Sequence, residues 1–396
     1  MRLTRSRAVD AVCSLILTAM ITGCDRGTAR TLAVEPFAKR SIELSTGVTI
    51  AYVEAGDPAG EAVILLHGYT DTGRSYHPMM RHLLALRPDL HLLVLDQRGH
   101  GESSMPDPER CRRAPERCFR PADFAADVLA FMDQLGIERA YLVGHSMGGL
   151  VAQEVALTRP ERVERLVLIA TWASMKEHPV VGEFLIAELM EGPWKEALVQ
   201  QGYAFPEDVY ELTPLDFDPG TEAWLAANWV TEPAADPAFL AQVLPETSRI
   251  KLGTWLGVAR ALLATDNRER LKGLAVPALV ISATQDGMAT EADEATLLAS
   301  LHTAARSCKT SFVLKRYGRK PLPSSGLPGD EIAHNVQWAA AEGVAIDLAA
   351  YLREDGQPTR DLYYADPRNV RRVLTAPGEA TLIEARAPSC AASGAS

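Results

Sequence analysis

Tyr141-Leu142-Val143-Gly144-His145-Ser146-Met147-Gly148-Gly149 is the stretch from which the rest of this chain can be read. A short apolar run ends at Val143 and a helix-forming run begins at Met147. Between them stands Gly-x-Ser-x-Gly, a sharp strand-to-helix turn that lifts a serine hydroxyl into an exposed, slightly strained position. Side chains at Gly144 or Gly148 would clash where the backbone reverses so tightly. Ser146 is therefore a candidate nucleophile. The pentapeptide alone is a common pattern, and its surroundings carry the decision.

A serine hydroxyl needs a base, the base needs an orienting group, and the developing oxyanion needs donors. Downstream, Val276-Pro277-Ala278-Leu279-Val280-Ile281-Ser282 reads as a buried strand running into Ala283-Thr284-Gln285-Asp286-Gly287. Asp286 thus lies just past a strand's carboxyl end, where an orienting carboxylate would sit, although Glu291, Asp293 and Glu294 crowd the same region. Beyond Asp286 only His302 and His334 remain as bases. His302 falls in an amphipathic helical pattern and reads as a helix-surface residue. His334 follows a Gly/Pro loop and precedes the helical run from Trp338 to Leu352, which makes it the better base. The expected oxyanion donors are the backbone N–H groups of Met147 and of Tyr69, in the loop His67-Gly68-Tyr69-Thr70-Asp71 that follows the strand Ala62 to Leu66.

With these residues assembled, the chain resembles the α/β-hydrolase superfamily, in its branch of cap-bearing serine hydrolases. The resemblance spans roughly residues 40 to 355. It rests on His67-Gly68-Tyr69, on Leu95-Asp96-Gln97-Arg98-Gly99-His100-Gly101-Glu102-Ser103, on the serine turn, on Asp286 and on His334-Asn335-Val336-Gln337-Trp338. It implies an α/β fold: a mostly parallel central sheet flanked by helices, with an inserted helical cap. The segment from Asp96 to Ser103 is mostly a structural turn in this superfamily, so His100 is not expected to act in catalysis. Haloalkane dehalogenases and epoxide hydrolases carry aspartate at the nucleophile position, and Ser146 argues against both. Carbon–carbon bond hydrolases typically show Asn before the serine and proline iminopeptidases Gly. His145 is closer to esterases, lipases and haloperoxidase-like enzymes. The resemblance implies cleavage of a carboxylic ester through Ser146, His334 and Asp286, with no cofactor and no metal. The alternatives are C–C or amide bond hydrolysis by the same residues, and a non-catalytic envelope binding protein that keeps the fold.

Composition fits a soluble enzyme of this kind, with 47% apolar and 23% charged residues. The formal net charge of −11 argues against nucleic-acid partners and against broad adhesion to anionic lipid. The N-terminus reads as a targeting segment. Arg2, Arg5 and Arg7 precede an apolar stretch too short to span a membrane comfortably. Met20-Ile21-Thr22-Gly23-Cys24 resembles a bacterial lipobox, so Cys24 is the expected lipidation site and residues 24–39 a tether. A lipid-anchored protein of the bacterial envelope follows, simple secretion being the alternative. Export would leave Cys111, Cys118, Cys308 and Cys390 in an oxidising compartment, an even count that favours disulfides. On a continuous helix Cys111 and Cys118 would lie about 10.5 Å apart, beyond the ~7 Å limit for a bridge. A bridge there requires a break, which Pro115 supplies.

The expected layout is a signal peptide (1–23), the tether, a core built from 40–171 and 272–355, a helical cap (172–271) and a C-terminal extension (356–396). Strands are expected at 62–66, 91–95, 140–143 and 166–170, with helices near 74–86, 122–135 and 147–159. Trp194, Trp224, Trp229 and Trp255 are candidates to line a pocket under the cap. In the extension, Arg371-Arg372-Val373-Leu374 and Ala380-Thr381-Leu382-Ile383 suggest a small hairpin. Oligomeric state is not legible.

Overall fold

The computed structural model describes residues 37–229, 232–319 and 332–386. The expected signal peptide, Cys24 and Cys390 lie outside the described residues. The strands, in chain order, are β1 (Lys39–Glu43), β2 (Thr49–Gly56), β3 (Glu61–Leu66), β4 (Leu90–Leu95), β5 (Ala140–His145), β6 (Val163–Ile169), β7 (Ala278–Ala283), β8 (Phe312–Tyr317), β9 (Leu362–Asp366), β10 (Asn369–Ala376) and β11 (Leu382–Ala385). A nine-stranded sheet runs in the order β1-β2-β4-β3-β5-β6-β7-β8-β11. Pairing is parallel from β4 through β8, while β1, β2 and β11 run antiparallel at the two edges. Successive side chains point to opposite faces of a strand, and this sheet is covered on both. Ile64, Leu66, Leu142 and Leu168 join a core with helices Pro121–Gln134 and Met147–Thr158. Val63, Leu65, Val143 and Ile169 join another with helices His77–Leu86 and Ala341–Tyr351. Burial on both faces is why these strands read as continuous apolar runs rather than as alternating ones.

The α/β rhythm breaks between β6 and β7. This insertion holds a helical segment Val180–Trp194, kinked at Gly192 before Pro193, and the helices Thr221–Asn228, Pro237–Ser248 and Leu252–Leu263. Its two ends are stitched at the base, where Asn267 N–H donates to Ala173 O (2.7 Å) and Met175 N–H to Thr265 O (3.0 Å). Cys111 and Cys118 form a disulfide with Cα atoms 6.0 Å apart, because helix Pro108–Cys111 stops and a separate turn, Pro115–Cys118, begins. Cys308 is also disulfide-bonded.

Two features differ from the sequence reading. Strand β8 went unread, because Lys315 and Arg316 interrupt its apolar pattern. Lys315 is nevertheless fully buried, its ammonium 2.5 Å from Asp347 and bonded to Thr359 O (3.0 Å). The tail also pairs differently from the expected hairpin. β9 and β10 form a separate ribbon, and Leu382–Ala385 instead extends the main sheet beside β8. The exposed edge of β8 offers β11 a full row of backbone partners, which a two-stranded ribbon alone would not.

Candidate active site

Ser146 stands at the junction of β5 and the helix Met147–Thr158 with φ 55° and ψ −122°. A non-glycine residue in that region is strained, and such strain is held only where the surroundings over-determine it. Here Ser146 N–H donates to Ile169 O (2.9 Å), and Ser146 O accepts from the Thr171 hydroxyl (2.8 Å). The flanking glycines are sterically required: a Cβ on Gly144 would lie 2.3 Å from Gly148 O, and one on Gly148 would lie 2.1 Å from Leu66 O.

The Ser146 hydroxyl lies 2.9 Å from His334 Nε2, across 188 residues of chain. On its other side His334 Nδ1 is 3.0 Å from both oxygens of Asp286. A carboxylate accepts only, so the imidazole proton sits on Nδ1 and Nε2 is left to accept from the hydroxyl. Asp286 Oδ1 also accepts from the N–H groups of Met288 (2.8 Å) and Ala289 (2.9 Å), which lock its orientation. The competing carboxylates are engaged elsewhere. Asp293 caps the helix Glu291–Arg306 through Thr290, and Glu294 pairs with Arg316. His302 is on that helix, its ring against Phe312.

Tyr69 and Met147 flank the serine. A Cβ placed on Gly68 would be 3.1 Å from Ser146 Cβ, so the chain entering Tyr69 passes directly beside Ser146. Met147 opens its helix, and first-turn N–H groups lack intrahelical acceptors. The Tyr69 side chain turns to the insertion, its hydroxyl donating to Trp255 O (2.6 Å). His100 is fully buried, its Nδ1 2.9 Å from Arg98 O, and does not line the cavity. The same turn is held by Asp96, which accepts from Gly73 N–H (2.8 Å), Glu102 N–H (2.9 Å) and Lys39 (2.6 Å).

A cavity of about 240 Å³ opens on Ser146 and His334. Its walls are chiefly apolar and include Trp172, Val181, Phe184, Trp229 and Met288. Of the four tryptophans singled out from the sequence, Trp229 lines it. Trp255 and Trp194 pack together in the core, and Trp224 stacks on Phe184. Trp172 and Trp338 line it unanticipated.

Three other residues at the site had no assigned role in the sequence. His145 is buried and neutral, its pKa held well below the ordinary value by burial and then by His334; its Nε2–H donates to His334 O (3.0 Å). Glu232, in the insertion, accepts from Ala333 N–H (3.2 Å) and Asn335 N–H (3.0 Å). Asp71 lines the cavity at 8% exposure, accepts from the Ser75 hydroxyl (2.8 Å), and has Oδ2 3.9 Å from His145 Nδ1. Burial pushes its pKa from 3.8 up to about 7, against the opposing effects of Ser75 and His334. Asp71 stood in a quoted motif, but no local pattern marks a carboxyl as buried. Glu232 carries no sequence signal at all, since its partners lie about a hundred residues away.

Residues 61–318 match the family model for the alpha/beta hydrolase fold. Over 241 residues the chain is 31% identical to a candidate carbamate hydrolase, RutD, of Pseudomonas syringae pv. syringae, covering 60% of this chain and 78% of that one. It is 35% identical over 136 residues to a Bacillus subtilis protein named as a candidate 2-succinyl-6-hydroxy-2,4-cyclohexadiene-1-carboxylate synthase, 34% of this chain and 46% of that one. Among solved structures, an esterase from Exiguobacterium antarcticum superposes with TM-score 0.57 at 17% identity, over 79% of this chain and 99% of that one. The enol-lactonase of Burkholderia xenovorans LB400 does so with TM-score 0.53 at 22% identity, over 77% and 96%. The sheet order, the strained serine turn and the match over most of the sheet agree, and the chain belongs to the alpha/beta hydrolase family.

Proposed function

We propose that this protein is a serine hydrolase of small, largely apolar carboxylic esters. One observation carries the reading: Ser146 Oγ lies 2.9 Å from His334 Nε2 while Asp286 holds the far nitrogen. In this mechanism Ser146 Oγ attacks the ester carbonyl carbon and its proton passes to His334 Nε2. The oxyanion is held by the N–H groups of Tyr69 and Met147. The carbonyl–alkoxy bond then breaks, and the leaving alcohol takes the proton from Nε2. Water repeats the sequence on the acyl-enzyme, releasing the acid and restoring Ser146. Asp286 fixes the tautomer and stabilises the imidazolium without itself becoming protonated. The cavity, about 240 Å³ with chiefly apolar walls, suits a short or medium acyl group.

A second reading is C–N cleavage in a carbamate or amide, favoured by the likeness to candidate carbamate hydrolases over 78% of their length. The discriminating experiment is a panel of p-nitrophenyl esters of graded acyl length beside carbamate, amide and diketone substrates. Ester turnover that Ser146→Ala abolishes supports the proposal. Turnover surviving in Ser146→Ala overturns the mechanism, and carbamate cleavage outpacing every ester overturns the substrate class. We also propose, from the lipobox-like run ending at Cys24, that the mature protein is lipid-anchored in the envelope.

A further inference from the structure

The insertion grips both loops that flank Ser146. On the oxyanion side it does so four times. Tyr69 donates to Trp255 O (2.6 Å), Trp229 Nε1–H donates to the Thr70 hydroxyl (2.8 Å), and Thr72 and Arg74 both bond Glu246 (2.6 Å each). On the base side the grip is concentrated in one side chain. Glu232 lies between helices Thr221–Asn228 and Pro237–Ser248 and is 2% exposed. Its two oxygens accept separately from the N–H groups of Ala333 and Asn335, the residues on either side of His334. From the core, His145 Nε2–H binds the carbonyl of His334 itself. The backbone of three consecutive residues is thus tied to other elements by three hydrogen bonds, two of them to one carboxylate, and bonds to an ionised acceptor are the stronger kind.

We propose that Glu232 is a positioning residue: a carboxylate from the insertion that clamps the backbone on both sides of His334 and thereby aims its imidazole at Ser146. The inference rests on the serine-hydrolase reading. A buried carboxylate is costly unless fully hydrogen-bonded, and a purely apolar contact would have secured the insertion more cheaply. What the carboxylate adds is direction, because two acceptors fixed in one plane meet two N–H groups flanking the base. Without it, the N–H groups of Ala333 and Asn335 lose their acceptor. The His334 backbone keeps the bond from His145, Asn335 O keeps those from Trp338 and Ala339 N–H on its far side, and the imidazole gains freedom about an axis that changes the Nε2–Oγ distance. Glu232→Gln preserves shape but replaces one acceptor with an NH₂ donor facing an N–H donor, so one arm of the clamp becomes repulsive.

The test is the time course of fluorophosphonate labelling at Ser146 in the full-length protein, comparing wild type, Glu232→Gln and Glu232→Asp. The amplitude counts folded, competent sites, and the rate constant reports how well the base is aimed. The expected result is near-full amplitude with a rate constant about 10- to 100-fold lower in Glu232→Gln, the order of loss that ~1 Å misplacement brings. Steady-state kcat should fall in parallel while KM stays within about twofold. Glu232→Asp keeps the charge but shortens the reach, and should fall between the two. A wild-type rate constant in Glu232→Gln would overturn the proposal. So would a loss confined to amplitude, which would mean that Glu232 only supports folding; this readout stays valid even where part of a sample is unfolded. Absence of labelling in wild type is a separate result, and it would overturn the serine-hydrolase reading along with the clamp.

Discussion

Replacing Asp71 by Asn should stabilise the protein, and should do so more as pH rises. The Asp71 carboxyl lies against the cavity, and burial raises its pKa from 3.8 to about 7. The unfolded chain releases that proton near pH 4, whereas the folded chain holds it to about 7. Between those values the folded state binds more protons than the unfolded state, so stability falls with rising pH and the loss is complete above about pH 7. A difference of roughly three pKa units, at about 1.36 kcal/mol each, makes the full effect about 4 kcal/mol, of which about 2.5 kcal/mol falls between pH 5 and 8. The carboxamide introduced by Asp71→Asn does not titrate. Buried His77 and His100, with pKa values pushed down by burial to about 3 and about 4, act in the opposite sense below pH 6.5. They are common to both proteins and cancel in the difference. The measurement is urea unfolding followed by tryptophan fluorescence at pH 5, 6, 7 and 8. Asp71→Asn should gain about 2.5 kcal/mol relative to wild type across that range. A difference that stays flat with pH would refute the reasoning, since it would mean that Asp71 titrates near its ordinary value in the folded protein.

Asp286→Asn should lower kcat by roughly 10⁴-fold, because the tautomer-fixing acceptor is lost; a small effect there beside a large one for Asp293→Asn would move the assignment. Removing the Cys111–Cys118 bridge by a double Ser substitution frees a short loop and should cost about 2.5 kcal/mol on chain-entropy grounds, and unchanged urea midpoints for the double variant would contradict it. Cys24→Ser should abolish membrane partitioning while leaving ester turnover unchanged. Mass spectrometry that finds an unmodified N-terminus on the wild-type protein would rule out the anchor.

The serine turn was legible because its geometry is local. Gly144 is dictated by a clash with Gly148 four residues on, inside the turn itself, and the Gly-x-Ser-x-Gly pattern fits within a five-residue window. The clash that fixes Gly148 is with Leu66 and His67 at the end of a neighbouring strand, which no such window contains. The central strands were legible for a related reason: burial on both faces writes an uninterrupted apolar run into each. Asp286 and His334 could be picked out by their places at a strand end and in a loop before a helix, although nothing local says that they meet.

Tertiary structure alone decided the remainder, which depends on surfaces brought together from far apart in the chain. Lys315 is compatible with a buried strand only because Asp347 from a distant helix lies beside it. Trp229 faces the cavity and Trp255 the core because of how the helices of the insertion pack, and tryptophan suits both places. Asp71 has a raised pKa only where the fold removes water from it, and Glu232 acquires partners only when the insertion closes on residues about a hundred positions later. Short-range sterics and hydrophobic pattern reside in the residues themselves. Desolvation and long-range hydrogen bonding come into being only when the pieces meet.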